Sequence, residues 1–318
     1  MLQISKRCLL LVPVLVLTIF ISITNAATSM KPMASPLEGR WDITVDMDGK
    51  PSPSWLEVRH SGTHTLIGQF VSVSGSARPI SEVHVKDSKF HFTIPPQWED
   101  GDKDFTLNGE LSGDKISGTV STPDGKTYSW TGVRAPTLRR TKQPVWGAPI
   151  KLTGGNTLKG WHANGPNQWI AKDGILKSEK SGSNLVTDQK FNDFKLHLEF
   201  RIPKGSNSGV YLRGRYEVQV TDSKGKEPAL DELGAIYGFL MPNEMAAKES
   251  GEWNTYDITL VGRLVTVVAN GKTVITNQEI PGITGGALDS NEGESGPLYI
   301  QGDHGPVEYR NIVITPAK

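Results

Sequence analysis

The 318-residue chain contains one cysteine, Cys8, so neither an intramolecular disulfide nor a cysteine-rich metal site is available to it. Net charge is also missing: 34 Lys+Arg balance 34 Asp+Glu, for a formal sum of +0. Nucleic-acid binders ordinarily carry a basic surplus, so the balance argues against that class. Only 21% of residues are charged, and the Glu/Lys/Leu/Ala pattern of long helices is absent. No Gly-rich phosphate loop, serine nucleophile elbow or His-Glu-x-x-His segment occurs. What the chain does have is 34 Gly and 20 Pro, the punctuation of a turn-rich β protein. Its length predicts two domains.

Lys6 and Arg7 precede an apolar run from Cys8 to Ile23, and Thr24-Asn25-Ala26 places small residues at −3 and −1. Residues 1–26 are therefore expected to be a cleaved signal peptide, directing the protein to the periplasm or the exterior. An uncleaved anchor would need about 20 predominantly apolar residues, more than this run supplies, so no stable membrane insertion is expected after cleavage. Cleavage removes the cysteine and two cations, leaving a net charge of −2. Residues 27–37 are expected to form a disordered lead.

Residues 38–135 show short alternating runs, among them Trp41-Asp-Ile-Thr-Val45, Phe90-His-Phe-Thr-Ile94 and Ile116-Ser-Gly-Thr-Val120. Asp48-Gly49, Ser112-Gly113-Asp114 and Pro123-Asp124-Gly125 supply the turns between them. About eight strands at this spacing predict a small up-and-down β-barrel or sandwich. Gly39-Arg40-Trp41 and Arg134 weakly resemble the opening and closing of lipocalin-like barrels, where the Arg covers the Trp. This half shows no cluster of ionisable residues suited to chemistry. Residues 136–148 hold Pro136, Pro144 and the basic run Arg139-Arg140-Thr141-Lys142, with Pro149 just beyond, and are expected to be a solvated linker.

From residue 149 to 318 the pattern stays β with longer strands, and one short helix is expected near Asn243–Glu249. If Tyr211 to Gln219 is an unbroken strand, then Tyr211, Arg213, Arg215, Glu217 and Gln219 share one polar face. The run Phe194–Ile202 adds His197, Glu199 and Arg201 on a second such face. Arg donors, carboxylates and aromatic rings are what a sugar-binding groove needs. Glu217-Val-Gln219-Val-Thr-Asp222 aligns with the Glu-x-Asp-x-x-Glu strand of laminarinase-type jelly-roll glucanases, but Gln219 cannot relay a proton as a central acid would.

The order and spacing of Leu158-Lys-Gly-Trp161, Asp173-Gly-Ile-Leu176, Asn207-Ser-Gly-Val-Tyr-Leu-Arg213, Tyr216-Glu-Val-Gln219, Glu252-Trp-Asn-Thr-Tyr256 and Gly296-Pro-Leu-Tyr-Ile-Gln301 are more specific. Over residues 149–316 the chain resembles the 3-keto-disaccharide hydrolase family, also described as 3-keto-glucoside 1,2-lyase/3-keto-2-hydroxy-glucal hydratase. That resemblance implies a concanavalin-like jelly roll with its site on the concave sheet, so the whole chain is expected to be all-β. It implies an oxidised saccharide as substrate. A C3 ketone acidifies the C2 proton, a base removes it, the C1 oxygen leaves by β-elimination, and water adds back.

On this reading Glu217 is the expected base, with Glu199 the runner-up, and Tyr237 or His304 protonates the leaving group. Arg213 and Gln219 hold the ketone or enolate oxygen, Trp253 stacks on the sugar, and Asn207 and Gln301 orient it. Each residue also has a plainer structural explanation, such as an Arg213–Glu217 ion pair or a core position for Trp253 and Tyr237. No cofactor is required; Asp222 and Asp303 are candidate ligands of a structural cation such as calcium. A non-catalytic carbohydrate-binding module and a conventional glycoside hydrolase are the alternatives.

Overall fold

The computed structural model describes residues 35–318, so the expected signal peptide and most of the expected 27–37 lead lie outside the described residues. Among the described residues there are strands and turns but no helix, as the all-β reading expects. The first nine strands are β1 (Gly39–Met47), β2 (Lys50–Ser61), β3 (Thr65–Val71), β4 (Arg78–Ile80), β5 (His84–Lys86), β6 (Lys89–Ile94), β7 (Phe105–Ser112), β8 (Lys115–Ser121) and β9 (Thr127–Arg134). They form one sheet in the order β4-β3-β2-β1-β9-β8-β7-β6-β5. All its pairings are antiparallel, as short turns such as Asp48-Gly49 require. The short β4 carries Pro79 and lies at a sheet edge, where a missing N–H is tolerated. Cα atoms of β4 come within 8 Å of β6, curling the sheet nearly into a barrel.

Period-2 alternation fills that barrel: Phe90, Phe92 and Ile94 are buried while Lys89, His91 and Thr93 are exposed. Trp41 is fully buried, and the Arg134 guanidinium lies 4.2 Å from its ring centre. Trp41 Nε1 donates to Leu37 O at 2.8 Å, which anchors the end of the lead segment. The linker is more firmly held than its basic composition suggests. Arg140 donates from Nε and a terminal nitrogen to the two carboxylate oxygens of Asp193, at 2.6 and 2.9 Å.

The remaining strands are β10 (Ile150–Lys151), β11 (Trp161–Ala163), β12 (Ile170–Lys172), β13 (Ile175–Ser178), β14 (Leu185–Phe191), β15 (Phe194–Arg201), β16 (Asn207–Leu212), β17 (Tyr216–Thr221), β18 (Asn254–Val261), β19 (Leu264–Ala269), β20 (Lys272–Glu279), β21 (Gly296–Ile300) and β22 (Val307–Pro316). The larger sheet runs β12-β13-β22-β15-β18-β19-β20, with β10 paired to β22; the smaller runs β11-β14-β21-β16-β17. Leu196, Leu198 and Phe200 of β15 share one core with Val210, Leu212, Val218 and Val220 of β16 and β17. The two sheets thus form a sandwich.

The helix expected near Asn243–Glu249 is absent. That stretch spends its backbone groups elsewhere: Asn243 N donates to Val274 O, Lys248 N donates to Asn254 Oδ1, and Ala246 O accepts from Asn270 Nδ2. Ala246 and Ala247 are buried by this docking. Trp55 and Val71, from the barrel, belong to the sandwich core, and the Trp55 ring meets Phe239 edge-on at 5.3 Å.

Candidate functional site

The hairpin of β16 and β17 decides which polar residues converge. Its last pair is Leu212 with Tyr216, and Arg213 (φ 54°) and Gly214 (φ 67°) take left-handed conformations in the turn. The strand is therefore not unbroken. Pairing nevertheless sets Tyr211 opposite Glu217 and Gly209 opposite Gln219, and opposed residues share a face. A Cβ on Gly209 would strike the Glu217 carboxyl, so that side chain lies across bare backbone of β16.

Arg213 and Arg215 leave this face at the turn. Arg213 is buried and donates to Tyr216 Oη at 2.8 Å and to Gly262 O; Arg215 pairs with Asp289 at 2.8 Å. The sequence reading placed Arg213 on the substrate, and the hairpin turn removes it. The second polar face is also misplaced in that reading. Glu199 and Arg201 alternate with β15 residues that enter the core, so they lie on the outer face of the larger sheet, with the core between them and Glu217. Glu199 accepts from Arg310 Nε at 2.7 Å and from Asn311 Nδ2 at 2.5 Å. Trp253 is on that outer side too, its ring flanked by Arg310 at 3.9 Å and Arg201 at 4.8 Å. Neither Glu199 nor Trp253 lines the pocket that holds Glu217.

The structure does bring together Asn207, Glu217, Gln219, Tyr237, Gln301, Asp303 and His304 around a cavity of about 180 Å³. Tyr211 and Tyr299 complete its floor, their rings stacked at 4.3 Å. Tyr211 shares the polar face that strand parity predicts and Tyr299 falls within the family segment Gly296–Gln301, but neither has an expected role. Ser74 and Gly75 of the barrel, and Gly285 and Gly286, line the same cavity, and no sequence signal marked them.

Glu217 is 4% exposed, and burial pushes its carboxyl up to about 8 against the opposing pull of the Tyr211 hydroxyl and His304. Tyr211 Oη donates to Glu217 Oε2 at 2.8 Å, and Gly285 O lies 2.9 Å from the same hydroxyl. His304 Nδ1 is 2.6 Å from Asp303 Oδ1, and this bond raises the imidazole. Burial works to raise Asp303, but His304 holds the carboxyl below its ordinary value. Gln219 has its amide engaged with Asp231 O and the Val220 N–H. Asn207 Oδ1 and Gln301 Oε1 are buried acceptors with no protein partner, which favours a donor from a ligand or from water.

Asp222 is not in the cavity; it accepts from Gly205 N and Ser250 Oγ, both at 2.9 Å. Among the described residues no three His, Cys, Asp or Glu side chains group as metal ligands. Asp303 lines the cavity and Asp222 does not.

Fold and site together define a β-sandwich protein with a polar pocket on the outer face of its smaller sheet. Within that class, the chain belongs to the family of 3-keto-alpha-glucoside-1,2-lyase-like domains, which it matches over residues 148–315. It is 33% identical over 101 residues to a 3-keto-disaccharide hydrolase of Bacteroides thetaiotaomicron; the match covers 28% of this chain and a third (33%) of that relative. Two solved structures from Parabacteroides distasonis, each named as a candidate glycosyl hydrolase, are 28% and 26% identical, with TM-scores of 0.45 and 0.42. They cover 57% and 53% of this chain and 96% and 98% of their own.

Proposed function

We propose that this protein is a carbohydrate-active enzyme that cleaves 3-keto-glucosides. In the first step the C2–H bond breaks, the C1–C2 double bond forms, and the C1–O bond breaks with a proton passing to the leaving oxygen. Water then adds across that double bond, so the net change is hydrolysis. The observation that carries this reading is Glu217: a buried carboxyl raised to about 8, at the floor of a one-ring cavity. A base tuned near the working pH suits removal of an activated carbon-bound proton. The family description supports the same chemistry.

In this scheme Glu217 takes the C2 proton. His304, whose hold on its proton Asp303 strengthens, protonates the departing oxygen, with Tyr237 the other donor at the cavity. The free acceptors of Asn207 and Gln301 receive sugar hydroxyls, and the amide of Gln219 has a second hydrogen for the ketone oxygen. Incubation with 3-keto-trehalose or 3-keto-sucrose should release monosaccharide, while the unoxidised sugars remain intact. Cleavage of unoxidised sugars at equal rates would sink this reading.

Asp303 favours a second reading. A raised Glu217 and a lowered Asp303 in one cavity resemble the acid and base of a conventional glycosidase. Activity on unoxidised glucosides that needs both carboxylates would select it. We further propose export directed by residues 1–26, on the charge and hydropathy pattern of that segment. N-terminal sequencing of the secreted chain tests this, with Ala27 expected first.

A further inference from the structure

We propose that the N-terminal barrel builds one wall of the catalytic pocket and so limits it to a terminal keto-sugar ring. This deepens the keto-glucoside reading and rests on it. The wall is the loop between β3 and β4, whose Ser74 and Gly75 line the same cavity as Glu217 and His304. Two loops of the sandwich close on it at glycines. Gly286 N donates to Val73 O at 3.2 Å, and a Cβ on Gly285 would strike Gly75 O. A Cβ on Gly238, the neighbour of Tyr237, would strike Ser76 and Ala77. The absence of side chains at Gly238 and Gly285 lets the barrel loop seat against both sides of the pocket.

The loop is braced from behind. The Trp98 ring packs against Gly75, and the buried Arg78 guanidinium lies 4.7 Å from the ring centre and pairs with Glu99 at 2.7 Å. The wall is therefore a fixed part of the barrel rather than a loose strap. With it in place the cavity measures about 180 Å³, below the roughly 300–1,000 Å³ that drug-sized ligands occupy. That is room for about one pyranose ring. A ketone-bearing unit inside a longer glycan would need a second exit through this wall. The accepted class is a glycoside oxidised on its terminal ring, with the expelled alcohol leaving by the open mouth.

Steady-state kinetics on methyl 3-keto-α-glucoside, 3-keto-trehalose and an oligosaccharide oxidised on an internal ring test the wall. Wild type should turn over the first two and not the third. Ser74 is exposed, so Ser74→Trp should fold normally, raise KM at least tenfold and leave kcat within twofold. Trp98→Ala should loosen the wall and permit turnover of the internally oxidised substrate. Unchanged KM in Ser74→Trp, or equal wild-type rates on terminal and internal substrates, overturns the proposal. Should wild type turn over none of them, the keto-glucoside reading fails. Calorimetric titration with 3-keto-trehalose then still reads the wall, with a tenfold weaker Kd in Ser74→Trp as the supporting result. Absence of wild-type binding overturns both.

Discussion

Tyr211 and Glu217 are cross-strand partners whose hydrogen bond depends on where one proton resides. The Tyr211 hydroxyl has a single hydrogen and two acceptors in range, Glu217 Oε2 at 2.8 Å and Gly285 O at 2.9 Å. When Glu217 is ionised, Tyr211 donates to it and gives up Gly285 O. When Glu217 is protonated, it donates to Tyr211, Tyr211 donates to Gly285 O, and both bonds are made. The bond to the carboxylate is charge-assisted and the stronger one, so on balance the Tyr211 hydroxyl favours ionised Glu217 and works against burial.

Tyr211→Phe removes the hydroxyl that stabilises the ionised form, and Glu217 should rise further. A hydrogen bond of about 1 kcal/mol corresponds to about 0.7 in pKa. If Glu217 is the base, its ionised fraction falls at pH 7. The ascending limb of log(kcat/KM) against pH should then move to higher pH by roughly that amount, with activity at pH 7 down about fivefold. Glu217→Gln should show no measurable turnover while circular dichroism stays native.

Asp42 and Glu292 meet in a buried seam between barrel and sandwich that also holds Arg263 and Arg215. Burial and the neighbouring Glu292 push Asp42 up to about 9. The folded state then keeps a proton that the unfolded chain releases near pH 4, so this contribution to stability is fully present below pH 4 and declines as pH rises towards 9. The slope is at most about 1.4 kcal/mol per pH unit for one proton. Asp42→Asn can still donate to Glu292, and should flatten the fall of the urea midpoint between pH 5 and 9.

Asp193 runs the other way. Burial raises it, but the Arg140 bonds and the Gly262 N–H hold it below its ordinary value. Its contribution is present above about pH 4 and lost as pH falls through the folded-state value. Arg140→Ala should cost about 1–3 kcal/mol at pH 7, judged by hydrogen bonds to charged groups, and less at pH 3. Paired urea melts at the two pH values check both the size and the trend.

Much of this was legible in the residues. Alternation identified most strands, and Asn270-Gly271 and Asp48-Gly49 placed hairpins because only left-handed backbone fits there. Parity put Glu217 and Gln219 on one face, and it survives a hairpin whose pairing keeps the faces aligned; Asn207 and Gln301, which line the same cavity, came from the family segments instead. Arg213 was assigned wrongly because parity does not survive inside the turn. Glu199 was assigned wrongly because alternation shows that a strand has a polar face, not which sheet the strand joins or where that face looks. Ser74 and Gly75 carry no chemical signature; they line the pocket through contacts between distant parts of the chain.

Trp55 is a barrel strand residue whose ring is fully buried in the sandwich core, against Phe239 and over Gly282. Residues 148–315, expressed alone, would leave a tryptophan-sized hole in that core. The cooperative unfolding unit is consequently larger than the family boundary, and heat should melt the two halves in one transition.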